Sequence, residues 1–235
     1  MNVDRRNRDR LVDAIRQYLV ENATAFEFDD EIQKISDECD DPDDSDDPTV
    51  AHVARALWFY YDDLKDHKVT LSKEEWDYFQ RLILLLQSDA HIVIQICKRW
   101  SVTQLVAGVA FLAFAVCAAQ LGIGYHLFAV AIPFGLVSIG LFRLQERLRW
   151  RNPASEQIAM VPFSRVSEIR AVRRRVPDFS KWKYPASLAT RRIRSPVENF
   201  AILLPWYAVW LMMSPLALLV QMMPETVAQT HVVTC

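Results

Sequence analysis

Apolar residues recur three and four positions apart along the first part of the chain, and that spacing predicts helices. Over residues 4–22, Leu11, Val12, Ile15, Tyr18 and Leu19 fall on one face. A short second helix over about 29–36 carries Ile32 and Ile35. A third is expected over about 50–67, with Thr49 as its N-cap and Val53, Ala54, Leu57, Trp58 and Tyr61 apolar. Ser72 followed by Glu75 is a capping-box pattern that opens a fourth, with Trp76, Phe79, Leu82, Ile83 and Leu86 at helical spacing. This helix, broken near Ser88, is expected to continue through His91–Trp100.

The pattern then changes. From Ser101 to Phe142, and again from Asn199 to Pro224, there is no Asp, Glu, Lys or Arg. A helix on the surface of a water-soluble domain needs a polar face, so such stretches point to lipid as the solvent. Three spans are expected, at about 101–121, 125–142 and 200–223, each near the ~20 residues that match a hydrocarbon core. Gly122-Ile123-Gly124 makes a tight turn between the first two. Pro133, Pro205 and Pro215 lie inside the apolar stretches, where neighbouring helices can satisfy the freed carbonyls. The third stretch either crosses or bends back at Pro215. The expected class is therefore an all-α membrane protein, with a helical N-terminal domain, a transmembrane hairpin and a separate third span.

Charge sharpens this organisation. The chain's net charge of −2 conceals two opposed segments. Residues 1–99 hold 23 acidic and 13 basic residues, whereas residues 143–195 hold 14 basic and 4 acidic ones. Mutual attraction, or attraction of the basic segment to anionic head groups, is expected. Lys98, Arg99, Arg143, Arg147, Arg149, Arg151, Arg191, Arg192 and Arg194 flank the apolar stretches, while 122–124 and 225–235 have no Lys or Arg. The excess of positive charge puts residues 1–99 (an acidic domain) and 143–197 (a basic loop) in the cytoplasm. Residues 101–142 form the hairpin, 198–223 the third span, and 224–235 an extracytoplasmic tail. The plasma (inner) membrane is the expected location.

The acidic run near 38–48 repels itself and reads as a disordered linker. It lacks the sixth-position glycine and final glutamate of an EF-hand. In the basic loop, Ile158, Val161, Val166, Ile169, Val172 and Val176 pattern an amphipathic helix over 158–179. Its arginines, Arg165, Arg170, Arg173, Arg174 and Arg175, are candidates for docking on a membrane surface or on the acidic domain. Arginines beside a span already have a topological role, so nucleic acid is the disfavoured partner.

Small residues at four-residue spacing, Ala115 with Ala119 and Ala131 with Gly135, are candidates for close helix packing. Packing within the hairpin is favoured over a homo-oligomer contact, because the tight turn already brings its helices together. Gln104 and Gln120, near the ends of the first span, are expected to face head groups.

Cys39, Cys97, Cys117 and Cys235 show no paired spacing, and the five histidines show no metal-ligand spacing. There is no GxSxG, GxxxxGK[ST] or GxGxxG, and the chain has only five glycines. No cofactor, metal or catalytic set is expected. The pattern favours a non-enzymatic membrane-anchored scaffold or regulatory subunit with a protein partner. An oligomeric pore or membrane-perturbing effector is the alternative, and an enzyme with a cytoplasmic-face site is third.

Overall fold

A computed structural model describes residues 3–39, 47–62, 64–122, 124–151 and 160–233. The fold is mostly helical. In chain order it contains α1 (Arg5–Leu19), α2 (Ala25–Cys39), α3 (Pro48–Leu57), α4 (Lys73–Gln87), β1 (His91–Arg99), α5 (Val102–Leu121), α6 (His126–Arg151), α7 (Val166–Arg175), α8 (Pro196–Met212), α9 (Ser214–Gln221) and β2 (Glu225–Val233). Two compact units divide the chain. One takes in Met1–Gln95, Glu156–Ile193 and Gln229–Cys235; the other takes in Ile96–Ser155 and Arg194–Ala228.

The first unit is built around α4. Its start follows the capping box: the Ser72 N–H donates to Glu75 Oε2 at 2.6 Å, and the Glu75 N–H donates to Ser72 Oγ at 3.2 Å. Trp76, Phe79, Leu82, Leu85 and Leu86 are buried. So are Tyr78, Gln80, Ile83 and Leu84, which leaves α4 covered on nearly all sides. Helix α1 lays Leu11, Val12, Ile15, Tyr18 and Leu19 into this core. The ring of Tyr18 stacks on Phe28 of α2 at 4.5 Å, and Phe28 meets Tyr61 edge-on at 6.2 Å.

The acidic and basic segments fold together in this unit. Helix α7 packs Val172 into the core, with Ile169 and Val176 half-buried beside it. The chain that follows straps across α4. Trp76 Nε1 donates to Trp182 O at 3.1 Å, the Trp182 N–H donates to Gln80 Oε1 at 2.9 Å, and Tyr184 donates to Leu71 O at 2.9 Å. Lys181 pairs with Asp77 at 2.7 Å, and Arg191 with Glu21 at 2.7 Å.

Four expectations are corrected here. The all-α class gives way to a mostly helical fold with one two-stranded sheet, β1 with β2. Residues His91–Arg99 form a strand, not the continuation of α4. Helix α4 stops at Ser88, whose backbone is extended, and β-branched Ile92, Val93, Ile94 and Ile96 follow. Glu225–Val233 is the partner strand, not a tail. In the acidic run, residues 40–46 lie outside the described residues, but its end is ordered: Asp47, not Thr49, caps α3, and Pro48 takes the first helical position.

The second unit holds α5 and α6, both long and apolar enough to cross a membrane; a third span counts only if α8 and α9 are taken as one. That pair is bent by 81°. Pro215 explains the break, because it has no N–H to donate to the Leu211 carbonyl one turn earlier. Helix α6 and the α8–α9 bend touch at a glycine. A Cβ on Gly135 would lie 2.8 Å from Leu211 Cδ2 and 3.0 Å from Leu211 Cα. The glycine therefore lets the α8 backbone approach α6 closely. Gly140, on the same helix, faces open space.

Gly135→Ala is expected to destabilise the second unit by about 1–3 kcal/mol through overpacking against backbone. Gly140→Ala should be neutral or slightly stabilising, since alanine is the better helix former by up to ~1 kcal/mol. Thermal unfolding of both variants in mild detergent makes the comparison.

Candidate functional site

Two surfaces and two buried polar clusters are the candidate functional features. The first surface is the basic edge of α7. Val172 is buried and pins the helix, while Arg165, Arg170, Arg173, Arg174 and Arg175 are all exposed. The helix is shorter than the expected 158–179, and residues 152–159 lie outside the described residues. Packing therefore uses the apolar edge of α7, and the arginines are left on the surface of a rigid element.

The second surface is apolar. On α5, Leu105, Val109, Leu112 and Val116 are each more than half exposed. Helix α6 shows Phe128 and Leu136 in the same way, and α8 has no buried residue at all. Exposed apolar area on this scale in water marks an interaction surface or a lipid-facing one.

The small-residue candidates separate. Ala131 and Gly135 are buried, but Gly135 meets Leu211 of α8 and the Ala131 carbonyl accepts from Ser214 Oγ at 2.8 Å. They therefore receive the bend between α8 and α9, where packing of α6 on α5 was expected. Ala115 and Ala119 are exposed on α5. The hairpin contact runs instead through Phe114 and Phe134, edge-on at 5.5 Å, and through Ala107 and Leu141 with Leu218 of α9.

Beneath the apolar surface lies the first polar cluster. Ser138 is fully buried. Its Oγ donates to Gln221 Oε1 at 3.0 Å and accepts from Trp210 Nε1 at 3.2 Å. Gln221 Nε2 returns a hydrogen bond to Ser138 O at 3.1 Å. Gln104, expected to face head groups, is buried and bridges two carbonyls: its Nε2 donates to Arg99 O at 3.2 Å and Met223 O at 3.0 Å. Its Oε1 accepts from the Ser101 N–H at 2.5 Å. These polar groups are satisfied within the chain, as a low-dielectric surrounding requires.

No protein family, characterised protein or solved structure matches this chain. The reading of function therefore rests on geometry.

The second polar cluster lies in the first unit. Arg8 and Asp47 both have side chains with no exposed area. Arg8 Nε and Nη2 hold the two Asp47 carboxylate oxygens at 2.6 and 3.0 Å, a bidentate pair. Nη1 donates to Ser88 O at 2.6 Å and Ala90 O at 2.9 Å. Asp47 also accepts from the Asp4 and Thr49 amides at 3.1 and 3.0 Å. Thr49 Oγ1 in turn accepts from the Ile92 N–H at 3.2 Å. One ion pair thus ties the start of α1, the cap of α3, the end of α4 and the start of β1. Burial pushes the Asp47 carboxyl up, but the hydrogen bonds and charge of Arg8, with the two amides, outweigh it and hold the group below its ordinary value of 3.8.

The sequence reading missed Arg8, Asp47, Ser138 and Gln221. The Asp47-Pro48 step was a usable cap signature. The other three show no local signal, because their partners are distant in the chain. Among the described residues, no group of three or more His, Cys, Asp or Glu is placed to hold a metal ion.

Arg8→Met should destabilise the first unit by about 3–5 kcal/mol, by leaving Asp47 charged, buried and unpaired. Urea titration followed by tryptophan fluorescence measures it. Because the Asp47 pKa is depressed on folding, the stability it contributes is present above about pH 4 and is lost as pH falls through the lowered value. Asp47→Asn should flatten this acid limb of the stability profile.

Proposed function

We propose that the chain is an integral protein of the plasma (inner) membrane that acts without catalysis, as a scaffold or regulatory subunit. Helices α5 and α6 cross the bilayer as a hairpin, and the first unit lies in the cytoplasm. The observation that carries this is the exposed apolar surface of α5, α6 and α8, over stretches with no charge from Ser101 to Phe142 and from Asn199 to Pro224. Water does not tolerate that surface on a monomer, and ~30 Å of hydrocarbon matches the 20 residues of Val102–Leu121 in α5 and of His126–Gln145 in α6. Orientation follows from Lys98 and Arg99 before α5 and Arg143 and Arg147 toward the end of α6.

The recognition surface in this reading is the exposed arginine edge of α7. Its packing on α4 holds the charges on a fixed element, so an acidic face of a protein partner meets a preorganised surface. The pore alternative is weakened by the polar cluster. Ser138, Gln221, Trp210 and Gln104 bond to one another or to backbone inside the unit, and the outward faces are apolar. An assembly of such faces has no polar wall for a water path.

The membrane reading predicts that the chain stays with the pellet after alkaline carbonate extraction. Recovery in the soluble fraction, or a monodisperse chain without detergent, overturns it. The scaffold reading predicts a co-purifying partner whose binding falls as salt rises. Replacing Arg170, Arg173 and Arg174 together by Glu should weaken that binding by about tenfold or more, at up to ~1 kcal/mol for each exposed pair lost. Ion leakage from liposomes carrying the purified chain would favour the pore instead.

A further inference from the structure

We propose that α8 and α9 form a re-entrant element, which enters the bilayer from the basic side of the hairpin and leaves on that same side. The inference rests on the membrane reading above and replaces a third crossing. Its ground is a ladder of contacts inside the second unit.

Helix α6 runs from His126, at one end of the hairpin, toward Arg143 and Arg147 at the other. Along α8 the partners on α6 move the opposite way. Trp210 bonds Ser138, Leu211 lies against Gly135, and Ser214 bonds the Ala131 carbonyl. The chain therefore climbs away from the basic end as it passes from Trp210 to Ser214. The 81° bend follows, between Met212 and Ser214.

After the bend the order reverses. Leu218 packs with Ala107 and Leu141. Gln221 returns to Ser138, the level that Trp210 had left. Met223 then reaches Gln104, whose same Nε2 also holds Arg99 O just before α5. So the residue that leaves α9 sits beside the residue that enters α5. Helix α9 has 8 residues, about 12 Å at 1.5 Å each, less than half of a ~30 Å core. It suffices for the return from Ala131 to the level of Gln104 and not for a crossing.

The sheet imposes the same parity independently. β1 ends at Arg99, before the first long helix, and β2 begins at Glu225, after α9, yet the two strands are paired. Hydrogen-bonded strands lie ~5 Å apart and cannot have a bilayer between them. The number of crossings between Arg99 and Glu225 is therefore even. The exposed side chains of α8 take lipid acyl chains as their occupant, and the C-terminal segment, expected outside, lies on the side of the N-terminus.

The test is sided labelling of single-cysteine variants with a membrane-impermeant maleimide, in intact cells and in inverted vesicles. Three reporters are used: Cys235 itself, Lys34→Cys at an exposed position of α2, and Tyr125→Cys, where the native side chain is 92% exposed between α5 and α6. Cys235 is expected to label with Lys34→Cys and opposite Tyr125→Cys. Labelling of Cys235 with Tyr125→Cys, opposite Lys34→Cys, overturns the re-entrant element and leaves the membrane reading intact. Labelling of Tyr125→Cys from the same side as Lys34→Cys overturns the membrane reading itself. A second measurement avoids cysteine replacement: epitopes added before Met1 and after Cys235 of the unaltered chain should be cleaved by protease from one side only, and cleavage from opposite sides overturns the proposal.

Discussion

A hydrogen-bonding group surrounded by apolar side chains must find its partner within the chain, and this requirement shapes both units of the protein. In the second unit it acts on Ser138, Gln221, Trp210, Ser214 and Gln104, which lie in the stretches without Asp, Glu, Lys or Arg. Each of these groups has a partner on another helix or on a neighbouring backbone carbonyl. Those bonds fix the positions on α6 that α8 and α9 meet, and the place beside Gln104 where Met223 lies. Van der Waals packing at Gly135 then allows the turn to seat.

In the first unit the same requirement is met by charge. A guanidinium with no exposed area is costly unless every donor is engaged. Arg8 engages the Asp47 carboxylate and the carbonyls of Ser88 and Ala90. Because these belong to separate elements, the pair fixes where α4 ends, where β1 begins and how α3 starts. Around it the apolar core is continuous, from Leu11 and Tyr18 through Phe79 to Val172 of α7. The basic segment joins that core through its apolar edge, and its arginines remain outside.

Much of the local structure was legible from residue spacing. The Ser72–Glu75 cap, the face of α1 and the two long apolar helices stand where the pattern puts them, because each depends on neighbours three or four positions away. β1 was less legible. Its apolar residues follow α4 closely, and only their β-branched character and the extended Ser88 distinguish a strand from a continued helix. β2 needs its partner to exist, since a lone strand of this kind buries too little surface to hold itself.

Composition and spacing by themselves determined that uncharged helices of ~20 residues occur, that a helical N-terminal region precedes them, and that acidic and basic segments oppose each other. They determined neither which side chains meet nor how α8 and α9 are arranged. A proline and a glycine 80 residues apart, Pro215 and Gly135, make the bend only when packed together. Gln104 becomes a latch only when Met223 arrives beside it. Hydrogen bonds and close packing depend on distance in space, and for residues so far apart in the chain tertiary structure alone supplies that distance.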